Sequence, residues 1–265
     1  MILTVHGSAA ALLSLLVASA YALAALLHAG ASAAWGQRLV WLAWAGHGVA
    51  IIAALWSEPA HFGFAPALSV TLWLVLTVVM TEGAAMRSGG LRTLAVLCAC
   101  GVALAFALPG PALAGHASAW LPLHWALGFA SYGLFGAALV HAWLMERLER
   151  RMRHATELPA GMPLLQHERL VFRFVAAGFL LLSATLLAGW LFGEQLHGPG
   201  ARVRLDHKIV FSHLSWLTFA ALLAGRLRYG WRGKTALRVL YLGCGLLLLA
   251  YVGSRFVLEV VLGRI

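Results

Sequence analysis

Eight apolar stretches follow one another along this chain, over residues 8–28, 39–56, 65–85, 92–108, 122–145, 170–192, 207–225 and 237–260. Most approach the roughly 20 residues that carry an α-helix across the hydrocarbon core of a bilayer. Backbone in lipid has no water to bond, so such stretches close their own hydrogen bonds as helix. Composition agrees: 62% of the 265 residues are hydrophobic and 11% are charged, whereas a soluble domain carries about 25% charge. The predicted fold class is therefore all-α, a polytopic membrane protein of about eight transmembrane helices in one bundle. It is read as a single transmembrane domain over residues 1–265 with a cytoplasmic loop near 146–169. Prolines punctuate the links, at Pro59, Pro109, Pro111, Pro159 and Pro163. The first stretch lacks a basic leader and is read as a transmembrane helix, although Ala31-Ser32-Ala33 resembles a signal-cleavage site.

A net charge of +10 would suggest nucleic acid in a soluble protein. Here it is explained by the tendency of cytoplasmic loops to collect Lys and Arg, and membrane lipids rather than nucleic acid are the expected partners. Placing the N-terminus outside puts only Arg202, Arg204, Lys208, Arg255 and Arg264 on the outer side, of 19 basic residues. Both termini are thus expected outside, which in a bacterium means the periplasm. The inner groups, including Arg226, Arg228, Arg232 and Lys234, read as topology determinants and lipid contacts. Cys98, Cys100 and Cys244 all lie in apolar spans, an odd count that gives no disulfide framework or zinc spacing.

This orientation sorts the histidines by depth. His124 and His207 open the fifth and seventh spans at their outer ends. Neutral imidazole is a good ligand for haem iron, and facing helices can clamp a planar macrocycle. Trp120, Trp125 and Trp190 supply flat apolar surface nearby. The alternative is that interfacial His and Trp simply sit at headgroup level. His213 lies about 9 Å below His207 and about 120° away around the helix, so the two do not serve one iron. His47 lies deep in the second span, where an ionisable group is either functional or hydrogen-bonded to a neighbouring helix. Ser131 and Tyr132, below His124, could bond a propionate or act as polar packing between helices. Arg202, Arg204 and Lys208, around Asp206, could pair with propionates, an anionic partner or lipid phosphates.

Intramembrane carboxylates are few, Glu82 and Glu259, which argues against a proton-coupled transporter. No phosphate loop, nucleophile motif or catalytic dyad is visible, so no catalytic residue is assigned. The C-x-x-C-H attachment motif is absent, so the chain is not itself a c-type cytochrome.

Four segments carry a family likeness: His124 to Tyr132 (HWALGFASY), Asp206 to Trp216 (DHKIVFSHLSW), Gly230 to Lys234 (GWRGK) and Leu249 to Glu259 (LAYVGSRFVLE). In this order and spacing the chain resembles the cytochrome c assembly protein family, which includes CcsA, CcmC and HemX, and within it the YpjD branch of bacterial inner-membrane proteins. The resemblance runs from about His47 onward. It implies a haem-binding integral membrane protein assisting cytochrome c biogenesis at the periplasmic face, with haem b held non-covalently. It also implies other assembly proteins or apocytochrome as partners. His124 matches the family's first outer histidine and His47 its membrane-embedded one. The Trp-rich loop by which lyase-type members present haem is replaced here by GEQLHGPGARVRLDHK, where only Asp206 and Lys208 are similar. The second outer histidine near the C-terminus is also missing. His207 is the candidate substitute, which makes His124, His207 and His47 the candidate axial ligands, with Trp125 and Arg204 as further cofactor contacts. Lyase activity is not carried over.

Two other functions stay open. A b-type electron-transfer protein would need a second, inner haem; His141 sits about 25 Å below His124, with His154 or His167 as its available partners. A haem-free scaffold or regulator that retains the fold is the other.

Overall fold

The computed structural model describes residues 5–28, 33–59, 61–82, 90–112, 121–154, 164–192 and 207–261. Eight helices long and apolar enough to cross a membrane lie among them. They are α1 (Val5–Leu27), α2 (Ala33–Leu55), α3 (Phe64–Glu82), α4 (Gly90–Ala107), α5 (Leu121–His154), α6 (Leu164–Leu191), α7 (His207–Tyr229) and α8 (Gly233–Leu248). Beyond Leu248 the last helix widens into π-helical turns over Leu249–Gly253 and Val257–Val261. The fifth and sixth helices extend past the expected apolar spans, so most of the 146–169 segment is helical. Its residues are strong helix formers even where they are charged.

The burial pattern fits a lipid solvent. Large apolar side chains face outward, among them Leu16, Leu180 and Leu227, while His47, Ser69, Ser131, His141, His167 and Ser215 are buried. Without a hydrophobic force between helices in lipid, small residues and polar bonds hold the interfaces.

The chain divides into two compact units, Met1–Leu113 with Leu258–Ile265, and Ala114–Val257. In the first, α1 packs on α2 and α4, and α3 packs on α2 and α4. Trp44 and Trp73 stack with centroids 5.5 Å apart and planes 8° apart. Their indoles are tied reciprocally: Trp73 Nε1 donates to the Trp44 carbonyl at 2.9 Å. Trp44 Nε1 donates to Thr77 Oγ1 at 2.8 Å, and that hydroxyl donates to the Trp73 carbonyl.

In the second unit α5 packs on α6 and α8, and α7 packs on α6 and α8. Phe135 of α5 stacks on Phe219 of α7. Trp216 donates to Ser183 of α6 and Ser215 to the Gly243 carbonyl of α8, both at 2.8 Å. The link between α7 and α8 turns on Gly230 and Gly233, at φ 65° and 54°, a region where a Cβ is strained. Trp231 folds back against Gly225, where any Cβ would collide with the indole. Its backbone N–H donates to the Gly225 carbonyl at 3.1 Å.

Candidate functional site

His124 stands in the first turn of α5, half-buried, with Trp125 beside it. Its Cε1 lies 3.6 Å from where a Cβ on Gly189 of α6 would sit, so this helix pair approaches through a glycine at the imidazole. His207 is the first residue of α7 and is exposed. Next to it, the Lys208 ammonium lies 5.3 Å from the centre of the Tyr251 ring, in the π-helical part of the last helix. Tyr251 packs edge-on against Phe129, which packs in turn on Tyr132. Part of the HWALGFASY segment and part of the LAYVG segment thus meet in one aromatic cluster one to two turns below His124. π-Helical turns are frequent at functional sites.

His213 donates its Nδ1–H to the Ile209 carbonyl, 2.8 Å away. A carbonyl can only accept, so Nδ1 carries the proton. The ring is therefore fixed as the tautomer with a lone pair on Nε2. The side chain is exposed. Ser131 is fully buried but bonds its own helix, donating to the Gly128 carbonyl at 2.7 Å.

His47 belongs to the first unit and is 1% exposed. Its Nε2 lies 2.8 Å from Ser69 Oγ and its Nδ1 lies 3.4 Å from the Tyr21 hydroxyl. Both nitrogens are engaged, one with α1 and one with α3. The candidate residues are thus split: His124, Trp125 and His207 share the second unit and His47 lies in the first. Arg204, with Arg202, Asp206 and Trp120, lies outside the described residues.

As a test of haem against these residues, the donor set is suitable at His124 and His207, both imidazoles at the ends of spanning helices. At His47 the ring already satisfies two hydrogen bonds, so iron there would have to replace one of them.

Two features escaped the sequence reading. Arg226 is more than a topology determinant: its Nη1 meets Glu168 Oε1 at 2.8 Å and donates to the Trp231 carbonyl at 3.2 Å, and its guanidinium lies 4.5 Å from the centre of the Phe172 ring. Arg232 approaches the same carboxylate at 3.8 Å. This network locks the GWRGK turn onto α6. The second feature is the direct contact of two buried histidines that the sequence offered only as possible partners at an inner haem. His141 of α5 and His167 of α6 are 0% and 2% exposed, with their Nδ1 atoms 3.0 Å apart. His167 belongs to a helix, and so could not be recognised as a core residue while it was read as part of a loop.

The chain matches the model of the cytochrome C assembly protein family over residues 38–262. It is 30% identical, over 273 residues, to an uncharacterized 28.8 kDa protein of Azospirillum brasilense, covering 97% of each chain. It is 32% identical to the inner membrane protein YpjD of Escherichia coli over 125 residues, 47% of this chain and 45% of that one. With the cytochrome c biogenesis protein CcsA of Prochlorococcus marinus it shares 33% identity over 89 residues, 34% of this chain and 28% of CcsA. No solved structure gives a significant match. The extent of the family match and the eight membrane-length helices make this chain a multi-pass inner-membrane member of the cytochrome c assembly protein family.

Proposed function

We propose that this protein binds haem b non-covalently at the periplasmic face of the inner membrane and handles it for cytochrome c assembly. In this reading both termini are periplasmic. His124 and His207 would hold the haem iron, Trp125 would offer it an apolar face, and Arg204 would pair with a propionate. His47 would be the deeper, membrane-embedded ligand, giving up its Ser69 hydrogen bond to hold the iron. Haem and its iron supply the redox and ligand chemistry; these side chains position the group and screen it from water. The partners are other assembly proteins or the apocytochrome.

The observation that carries this reading is the seating of His124. A half-buried imidazole stands at the end of a spanning helix, with a glycine of α6, rather than a bulkier residue, facing its Cε1. A bacterial strain lacking the gene tests it. Its haem-stained c-type cytochromes fall, the wild-type gene restores them, and His124→Ala restores far less at equal protein level. Full restoration by His124→Ala would refute the haem-ligand role.

One observation favours the electron-transfer reading as the second. His141 Nε2 is buried and has no hydrogen-bond partner among the described residues, while Nδ1 is oriented by His167. Metal-bound histidines are commonly oriented through their second nitrogen in this way. A redox titration of the purified protein with two separable haem transitions would support this reading; one transition would count against it.

A further inference from the structure

We propose that a groove between the C-terminal end of α5 and the N-terminal end of α8 binds the phosphate headgroup of an acidic phospholipid from the adjoining leaflet, the cytoplasmic one in the orientation given above. The groove has a volume of about 340 Å³ and is lined from α5 by Glu146, Glu149, Arg150 and Arg153. From α8 it is lined by Lys234, Leu237, Arg238 and Tyr241. Both sets follow the spacing i, i+3, i+4, i+7, so each helix turns one continuous face to the groove.

The two helices span in opposite directions, which orders the groove by depth. Arg153 and Lys234 stand at its aqueous mouth, and Glu146 and Tyr241 at its membrane-ward end. The 34 residues of α5 extend about 51 Å at 1.5 Å each, well beyond a hydrocarbon core of roughly 30 Å. Its last turns therefore reach headgroup level and beyond.

Charge makes the groove a receptor for anions. Four cations face two carboxylates. Arg150 pairs with Glu146 at 3.6 Å, but Arg153, Lys234 and Arg238 have no carboxylate within 4.0 Å among the described residues. Guanidinium groups match phosphate oxygens in a fork and an ammonium adds a point charge. Basic pockets between spanning helices on the cytoplasmic side are suited to acidic lipid headgroups. A lipid fits better than a soluble phosphate because Leu237 and Tyr241 carry the lining along α8 toward the membrane, and Leu242 beside them is 58% exposed. That gives acyl chains an apolar exit along α8.

The test is native mass spectrometry of the delipidated full-length protein titrated with phosphatidylglycerol, phosphatidylcholine or glycerol phosphate. The triple variant Arg153→Gln, Lys234→Gln, Arg238→Gln is compared with Arg147→Gln, Arg151→Gln, Arg228→Gln, which removes equal charge outside the groove. The expected result is phosphatidylglycerol binding that falls about fivefold or more in the groove variant and stays near wild type in the control, with phosphatidylcholine weak throughout. Equal losses in both triple variants would overturn the proposal in favour of net charge alone. Glycerol phosphate that binds as tightly as the lipid and displaces it would overturn the lipid assignment. If the groove triple does not fold, Arg153→Gln and Lys234→Gln singly serve instead; partial losses in each support the site and wild-type binding in both overturns it.

Discussion

Phe135 of α5 and Phe219 of α7 stack with ring centroids 3.9 Å apart and planes 7° apart, and each ring has a glycine at its outer side. A Cβ on Gly178 of α6 would stand 3.1 Å from Phe135, and one on Gly243 of α8 would stand 2.7 Å from Phe219. Two rings thus fill the centre of the second unit because two other helices present no side chain there. Close approach through small residues is what packing in lipid requires.

Gly243→Ala should therefore lower stability by about 1–3 kcal/mol through overpacking, and Gly178→Ala by less. Gly245, where a Cβ would meet nothing within 4 Å, is the control: Gly245→Ala should leave stability unchanged or raise it by up to about 1 kcal/mol. Thermal unfolding in detergent checks the series. Equal effects at positions 243 and 245 would contradict this packing account.

The Glu168–Arg226 bridge, with side chains 13% and 24% exposed, supports the turn between α7 and α8. Glu168→Gln should cost about 1–3 kcal/mol, since it weakens a charge-assisted bond in a partly buried site. The double variant with Arg226→Gln should lose less than the sum of the singles. Limited proteolysis at the Gly230–Gly233 turn should accelerate in parallel, and an unchanged cleavage rate would show that the turn holds without the bridge.

Much of this fold could be read from hydropathy alone. All eight spans were placed, and His207 was placed at the start of its helix, because lipid selects length and apolarity so strictly. Hydropathy marks where lipid ends rather than where a helix ends, and so the charged ERLERRMRH stretch read as loop although it continues α5. Contacts between helices were less legible. Arg226 finds Glu168 58 residues away, and nothing local in either segment signals the partner. The Trp44–Trp73 pair likewise depends on which faces of α2 and α3 meet. Of the candidate residues, the places along the helices were legible, with His124 and His207 in the first turns of α5 and α7 and His47 within α2. The double engagement of His47 was not, because Tyr21 and Ser69 come from other helices.

Thr77→Val tests the Trp pair. The change keeps shape but removes the acceptor for Trp44 Nε1, 2.8 Å away, and leaves a half-buried donor unpaired at a cost of about 1 kcal/mol. Thr77→Ser, which keeps the hydroxyl, should be close to wild type by tryptophan fluorescence and melting. Thr77→Val that melts like wild type would show that the hydroxyl bond contributes nothing to the Trp pair.

His141 and His167 share one hydrogen bond in the core of the second unit. His141→Phe and His167→Leu should each destabilise, and a double-mutant cycle should give a coupling of about 0.5–3 kcal/mol. A coupling near zero would mean that the 3.0 Å contact contributes nothing to the folded state.

The most direct measurement is the absorption spectrum of the purified full-length protein, oxidised and reduced, beside His124→Ala. The account predicts a Soret band with sharp reduced α and β bands, as for low-spin iron with two axial ligands, and their loss in His124→Ala while helix content stays unchanged. A colourless wild-type protein that also fails to take up added haem would contradict it, and would make this family member a haem-free scaffold or regulator.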